Sequence, residues 1–297
     1  MTTINTNIAA MTAANSIKTN DRSMAVAMER LSTGLRINSA SDDAAGLAIS
    51  TKMTSQIRGL DAAARNANDA ISMIQVADGA ASEITDMLQR MRELTVQSSN
   101  GVNSTTDRAN LDQEFVQLAL AIDKIAETTE FNGRKILNGD ADGAGDSTVT
   151  FQVGANSGAN EQLDVNFSDF NLAAGALAAG GPPPVLATPM AADLSLFTTT
   201  GIDETNFADT LNKLDAALEG VASQRATFGA AVNTLEHTVD NLVTTSGNQS
   251  AARSQILDAD YAAETTELAR TQIIQQAGTA MLSQANQQAQ SVLALLK

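Results

Sequence analysis

Apolar residues along this chain recur at alternating steps of four and three, the spacing that keeps them on one face of a helix packed against other helices. One run takes Met53, Ile57, Leu60, Ala64, Ala67, Ile71 and Ile74. Two successive steps of three near Asp78 and Gly79 then predict a locally overwound stretch, before the pattern resumes at Ala81, Ile84, Leu88 and Met91. A second run takes Leu111, Phe115, Leu118, Ile122 and Ile125. A third takes Leu211, Leu214, Leu218, Val221, Arg225, Phe228, Val232, Leu235, Val239 and Leu242, with Arg225 as its charged intruder. Two readings of Arg225 stand: its stem packs while its head reaches solvent, or it pairs with a carboxylate and fixes helix register. Asn100, Gly101 and Asn103 predict a turn, and Ser104 with Asp107 predicts a capping box that opens the next helix.

Period-two alternation is confined to one section. Val149, Phe151 and Val153, then Leu163, Val165 and Phe167, predict a β-hairpin over 147–168 with a loop longer than the tightest type. All four prolines, Pro182, Pro183, Pro184 and Pro189, fall in an Ala/Gly/Pro-rich surface connection over 173–202. The rest of the chain is free to run as long helices. Two polar breaks, NSASDD at Asn38 to Asp43 and TSGNQS at Thr245 to Ser250, set off an arm at each end. The fold class is mainly α: a long antiparallel helical bundle or coiled coil with a short β-hairpin, its N- and C-terminal arms forming a paired helical inner domain.

The arms carry the functional information. On a helical wheel the first places Ile4, Ile8, Met11, Ala14, Ile17, Met24, Met28, Leu31 and Leu35 on one side, and the last does the same with Ile274, Ala277, Met281, Ala285, Val292 and Leu296. From Thr271 to Leu296 there is no charged residue, yet there are seven glutamines. Two such helices bury one stripe each, too little to order a lone pair, so neighbouring copies are expected to cover the remaining faces. Freedom from charge suits such an interior, because a buried unpaired ion costs several kcal/mol whereas amides can satisfy one another. Gly278, beside Ala277 and Ala280, predicts close approach of another backbone.

Composition narrows the alternatives. With 43% apolar residues but only 3% aromatic, the core must be built from Ala, Leu, Ile, Val and Met. A net charge of −16 disfavours nucleic acid, whose phosphates need clustered Lys and Arg. No apolar run reaches the roughly 20 residues of a membrane span, and the polar faces of the arms lack the basic residues of interfacial helices. The start lacks the pattern of a secretory signal. With no cysteine, thiolate metal sites and cysteine nucleophiles are excluded. His237, the only histidine, reads as a surface helix residue, and Gly143 with Gly145 is an incomplete phosphate motif. The Asp42–Asp43 and Asp258–Asp260 pairs read as caps of the helices that follow, ahead of a Ca²⁺ or acid–base role. No catalytic residue, metal or cofactor is expected.

Several stretches resemble one family. INTNIAAMTAANSI and MERLSTGLRINSASDDAAGLAIS at the start, LQRMRELTVQSSNG, FNGRKILNG and FQVGAN in the middle, and ARSQILDADYAAETTELARTQIIQQAGTAMLSQANQ at the end are similar to bacterial flagellins. The resemblance implies a filament subunit that polymerises with itself, is extracellular, and is exported without a cleaved signal peptide. It implies as partners the flagellar export apparatus with its chaperone, and cap and junction proteins. It also implies a channel-lining inner domain over 1–45 and 256–297, spoke regions near 36–46 and 245–256, a helical outer-tube domain over 46–172 and 203–255, and no large outer domain. Gln89, Arg90, Leu94 and Glu114 match positions of a patch seen by the innate Toll-like receptor for flagellin; subunit contact is the other role implied there. Ala289 stands where relatives usually carry proline, so the last helix is expected to continue there. The rivals are a hook–filament junction protein of the same system and a secreted adhesin or glycan binder using the acidic middle.

Overall fold

The computed structural model describes residues 7–141, 146–170 and 204–294. The proline-rich connection, Ile4, Leu296 and the Gly143 motif lie outside them, as does the side chain of Val292. Among the described residues five helices run in chain order: α1 Ile8–Thr33, α2 Ala44–Ser98, α3 Thr105–Thr128, α4 Glu204–Leu257 and α5 Tyr261–Ala294. Four short strands lie between α3 and α4: β1 Glu130–Phe131, β2 Arg134–Lys135, β3 Thr148–Gln152 and β4 Gln162–Asn166. The chain divides into two compact units, Met1–Ile57 with Ser246–Lys297, and Arg58–Thr245.

The second unit is an antiparallel arrangement of α2, α3 and α4 around an aliphatic core. On α2 the buried path is Ala63, Ala67, Ala70, Ile74, Ala77, Ala81, Ile84, Leu88 and Met91. Its steps alternate four and three throughout, so the overwound stretch expected near Asp78 is absent. The reason is side-chain size: Ala70 sits at the centre of the seam, whereas bulkier Ile71, read from sequence as the seam residue, packs beside it. The same displacement occurs on α3, where Phe115, Ala119, Ile122 and Ala126 are innermost and Leu111, Leu118 and Ile125 flank them. Small side chains let helix backbones approach, and the large ones fill the grooves alongside.

On α4, Leu214, Val221, Phe228, Leu235 and Leu242 are buried at intervals of seven. Gln224, not Arg225, occupies the interior between them. Its Nε2 donates to Asn166 O at 2.6 Å and its Oε1 accepts from Ser168 Oγ at 2.9 Å, so both ends of the buried amide are satisfied. Arg225 turns outward and pairs with Asp78 of α2 through Nε–Oδ1 at 2.8 Å, with more than a third of its side chain exposed. The guanidinium thus both pairs with a carboxylate and reaches solvent, at the edge of the seam.

The turn and cap between α2 and α3 form as the sequence predicts. Ser104 Oγ accepts from Asp107 N at 3.2 Å while Asp107 Oδ2 accepts from Ser104 N at 3.0 Å. In the long hairpin β3 pairs antiparallel with β4, Val149 opposite Val165 and Phe151 opposite Leu163. Phe167, fully buried, meets Phe228 of α4 with ring centroids 5.4 Å apart. The Glu161 carboxylate closes the loop by accepting from the backbone and side-chain nitrogens of Asn156. A second, two-residue hairpin, β1–β2, is an element that period-two reading misses. Its signal is the dipeptide Asn132–Gly133, both at positive φ (52° and 76°), the conformation of the tight hairpin turn.

Candidate assembly surface

The first unit pairs α1 with α5, antiparallel. Half-buried or buried positions on α1 include Ile17, Asn20, Met24, Ala27 and Leu31; those on α5 include Leu268, Thr271, Gln275, Gly278, Leu282 and Ala285. Both of these sets alternate steps of three and four, the spacing of a two-helix seam. Polar groups are threaded through it, and several find partners across the pair. Asn20 Nδ2 donates to Thr271 O at 2.7 Å in the buried centre, and Gln275 Nε2 donates to Asp21 Oδ1 at 3.0 Å. Asn7 caps α1 by accepting from Ala10 N and also donates to Ala285 O at 3.1 Å. Arg30 and Glu264 form an ion pair at 2.9 Å near the other end. Gly278 faces Ile17: a Cβ added there would lie 2.9 Å from Ile17 Cγ1. The close neighbour is thus a side chain, where the sequence suggested a backbone.

Beyond α1 the chain is tied to the start of α5. Gly34, at φ 72°, ends α1 in the left-handed conformation that glycine adopts without strain. Arg36 N then donates to Leu257 O at 2.7 Å and Ala259 N to Gly34 O at 3.0 Å, making a short antiparallel bridge. Asp42 Oδ2 accepts from Asn38 N, Ser39 N and Ser39 Oγ, which holds its carboxyl below the usual aspartate range, the Ser39 bonds contributing most. Asp43 caps α2 through Gly46 N, and Asp260 caps α5 through Ala262 N and Ala263 N. Asp43 and Asp260 are the helix caps expected of them, whereas Asp42 instead closes the turn at Asn38 and Ser39, and Asp258 accepts from Ser254 Oγ at the end of α4. The TSGNQS stretch is not a break: α4 runs through it to Leu257, and the chain leaves the helix only around Asp258. Likewise α5 passes Ala289 without interruption.

The pair leaves several large apolar side chains uncovered. Ile8 is 61% exposed, Met11 58%, Met28 54%, Ile273 66% and Met281 65%, with Val26 and Ile274 also open. Of the arm residues singled out from sequence, Ile17, Met24, Leu31, Leu35 and Ala285 are partly covered within the unit. Ile8, Met11, Met28, Ile274, Ala277 and Met281 are exposed. The amide and carbonyl partnerships of Asn7, Asn20 and Gln275 went unread in the sequence; their signal is amide side chains at seam spacing.

In the second unit, Arg90 and Glu114 meet. Arg90 Nε and Nη2 both reach Glu114 Oε1, at 2.9 and 2.8 Å, and Nη1 reaches Glu93 at 3.0 Å. The Glu114 bonds, more than those to Glu93, raise the guanidinium's pKa further. Gln89 is exposed beside them. Leu94 is not part of that surface: it is 1% exposed in the helical core, so its large apolar side chain is explained by packing. His237 is exposed on α4. Among the described residues no group of three or more His, Cys, Asp or Glu could hold a metal, and no helix is long and apolar enough to cross a membrane.

A paired-helix unit with open apolar faces and a helical unit carrying a small hairpin together define a class: a structural subunit built to be packed among others. The pattern described as bacterial flagellin N-terminal helical region matches residues 4–142, and that described as bacterial flagellin C-terminal helical region matches residues 211–296. Flagellin of Halalkalibacterium halodurans is 47% identical over 99% of each chain, and flagellin of Bacillus subtilis 44% identical over 99% of each. The solved structure of a putative flagellar hook-associated protein from Vibrio parahaemolyticus shares the fold with a TM-score of 0.58 at 14% identity, over 73% of this chain and all of that one. The chain belongs to the bacterial flagellin family and is a structural subunit of the flagellar filament.

Proposed function

We propose that this subunit polymerises through the open faces of α1 and α5, which neighbouring copies cover and thereby order. The observation that carries this reading is the set of large apolar side chains, Ile8, Met11, Met28, Ile273, Ile274 and Met281, left exposed by a unit that is otherwise almost free of charge along 271–294. Covering such residues is worth about 1.5 to 3 kcal/mol each, a gain the subunit realises only where copies meet. On the helical wheel, the sequence assigns Ile4, Val292 and Leu296 to the same apolar sides. In this reading 1–45 and 256–297 line the channel, 36–46 and 245–256 act as spokes, and 46–172 with 203–255 forms the surrounding tube. The subunit is non-catalytic and reaches the exterior through the flagellar export apparatus without a cleaved signal, handled by its chaperone and met by cap and junction proteins. Gln89, Arg90 and Glu114 form a surface for subunit contact and for the Toll-like receptor.

The test is assembly of purified subunits, full-length and lacking 1–45 and 256–297, followed by electron microscopy after seeding. Filaments are expected only from the full chain, with protease-sensitive arms in the free subunit becoming resistant on assembly. Long hollow fibres from the truncated chain would overturn the reading. For the receptor, Arg90→Ala is expected to reduce signalling while the fold stays intact; unchanged signalling would remove that role.

A further inference from the structure

Ten methionines are the only sulfur in a chain with no cysteine and no tryptophan. Met1 and Met190 lie outside the described residues. The other eight are distributed unevenly. Met73 and Met91 are buried in the core of the second unit, at 5% and 0% exposure, and Met24, Met53 and Met87 are half-buried. Met11, Met28 and Met281 stand open on α1 and α5. A thioether reacts with two-electron oxidants in proportion to its exposure, and with no thiol or indole in the chain to react first, these three are where such an oxidant acts among the described residues.

We propose that Met11, Met28 and Met281 are modification sites for peroxide-class oxidants, and that their oxidation removes an unassembled subunit from the population able to join a filament. The inference rests on the reading that copies cover these faces. In the step, the Sδ lone pair attacks one oxygen of hydrogen peroxide, forming the S–O bond as the O–O bond breaks. The departing hydroxide takes the proton from the transferred oxygen, giving sulfoxide and water. Sulfur loses two electrons and the peroxide gains them. The product is a polar, chiral group in place of a flexible apolar one, on a face whose apolar side chains neighbouring copies must cover. Once covered in a filament the same sulfurs are protected. Arm methionines thus make assembly competence sensitive to oxidant during the interval before incorporation.

The experiment treats free subunits and preformed filaments with graded hydrogen peroxide. It seeds the treated subunits, separates filament from unincorporated protein by sedimentation, and maps sulfoxide by peptide mass spectrometry. Sulfoxide at Met11, Met28 and Met281 is expected to form at least tenfold faster than at Met73 and Met91 in free subunits, and to be at least tenfold enriched in the unincorporated fraction. Treatment with both methionine sulfoxide reductases should restore incorporation. Equal sulfoxide at these sites in both fractions, or oxidation of the core methionines at the same rate, would overturn the proposal. If the three sulfurs react as fast in filaments as in free subunits, the covered-face reading itself fails. If they are protected in filaments yet their sulfoxides are incorporated freely, that reading stands and this proposal falls.

Discussion

At the scale of single residues, the decisive distinction is between a buried amide with two partners and an exposed ion pair. Gln224 bridges α4 to the end of β4 and to Ser168, so Gln224→Ala strands two buried acceptor or donor groups and should cost about 2 kcal/mol in denaturant unfolding. Arg225→Ala breaks a pair whose members are both more than a third exposed, and should cost about 1 kcal/mol or less. If the order is reversed, Arg225 is the register element and the packing description is wrong. Gly278 is a second case. Alanine there gains about 1 kcal/mol of helix propensity but places a methyl 2.9 Å from Ile17 Cγ1, close to the β-branched stem where little can yield. Gly278→Ala is therefore expected to loosen the arms in a proteolysis assay, and Ile17→Ala in the same chain to restore them. Additive effects of the two changes would show that the residues do not meet. Both cases were half-legible in sequence: the glycine announced close approach without naming its neighbour, and Arg225 drew attention that belonged to the residue before it.

At the scale of elements, helix ends are governed by local chemistry and respond to pH. Ser104 bonds hold the Asp107 carboxyl below its ordinary value of 3.8, the side-chain bond contributing most. The unfolded chain therefore takes up this proton first. The stabilisation from the cap is complete above pH 3.8 and is lost as pH falls through the depressed value. Asp107→Asn should flatten the dependence of α3 stability on pH below 3.8 and leave it unchanged near neutrality, as followed by denaturant unfolding at fixed pH; an unaltered slope would show that the carboxylate does not act as the cap. Strands are governed less locally. The β3–β4 pairing was readable because alternation and a glycine-rich loop coincide, while β1–β2, two residues a side, is too short to alternate at all and is declared by its Asn–Gly turn.

At the scale of the whole molecule, the two units differ in how much they bury. The second closes a continuous core from Ala67 to Leu235 and carries Leu94 inside it. Leu94→Ala should accordingly cost about 2 to 5 kcal/mol and lower the melting temperature, whereas Gln89→Ala should leave melting unchanged. A variant combining changes at Arg90 and Leu94 would mix loss of fold with loss of surface, so only the exposed members report on recognition. The first unit pairs Asn20, Gln275 and Arg30 across the α1–α5 seam yet leaves Ile8, Met11, Met28, Ile273 and Met281 to solvent.

The sequence by itself determined the helical class, the caps at Ser104 and Asp260, the long hairpin and the amphipathic, charge-poor arms, because periodicity and capping depend on residues a few positions apart. Tertiary structure alone decided which member of each seam lies innermost. Apolar spacing marks a face about two residues wide, and large side chains draw the eye to Ile71 and Leu118, whereas Ala70 and Ala119 are the fully buried positions. It also decided that TSGNQS stays helical, since polar residues break a helix only where no neighbouring turn or side chain satisfies the backbone. Partnerships such as Asn20 with Thr271 O, 251 positions apart in the chain, depend on which faces meet, and no local pattern carries that information.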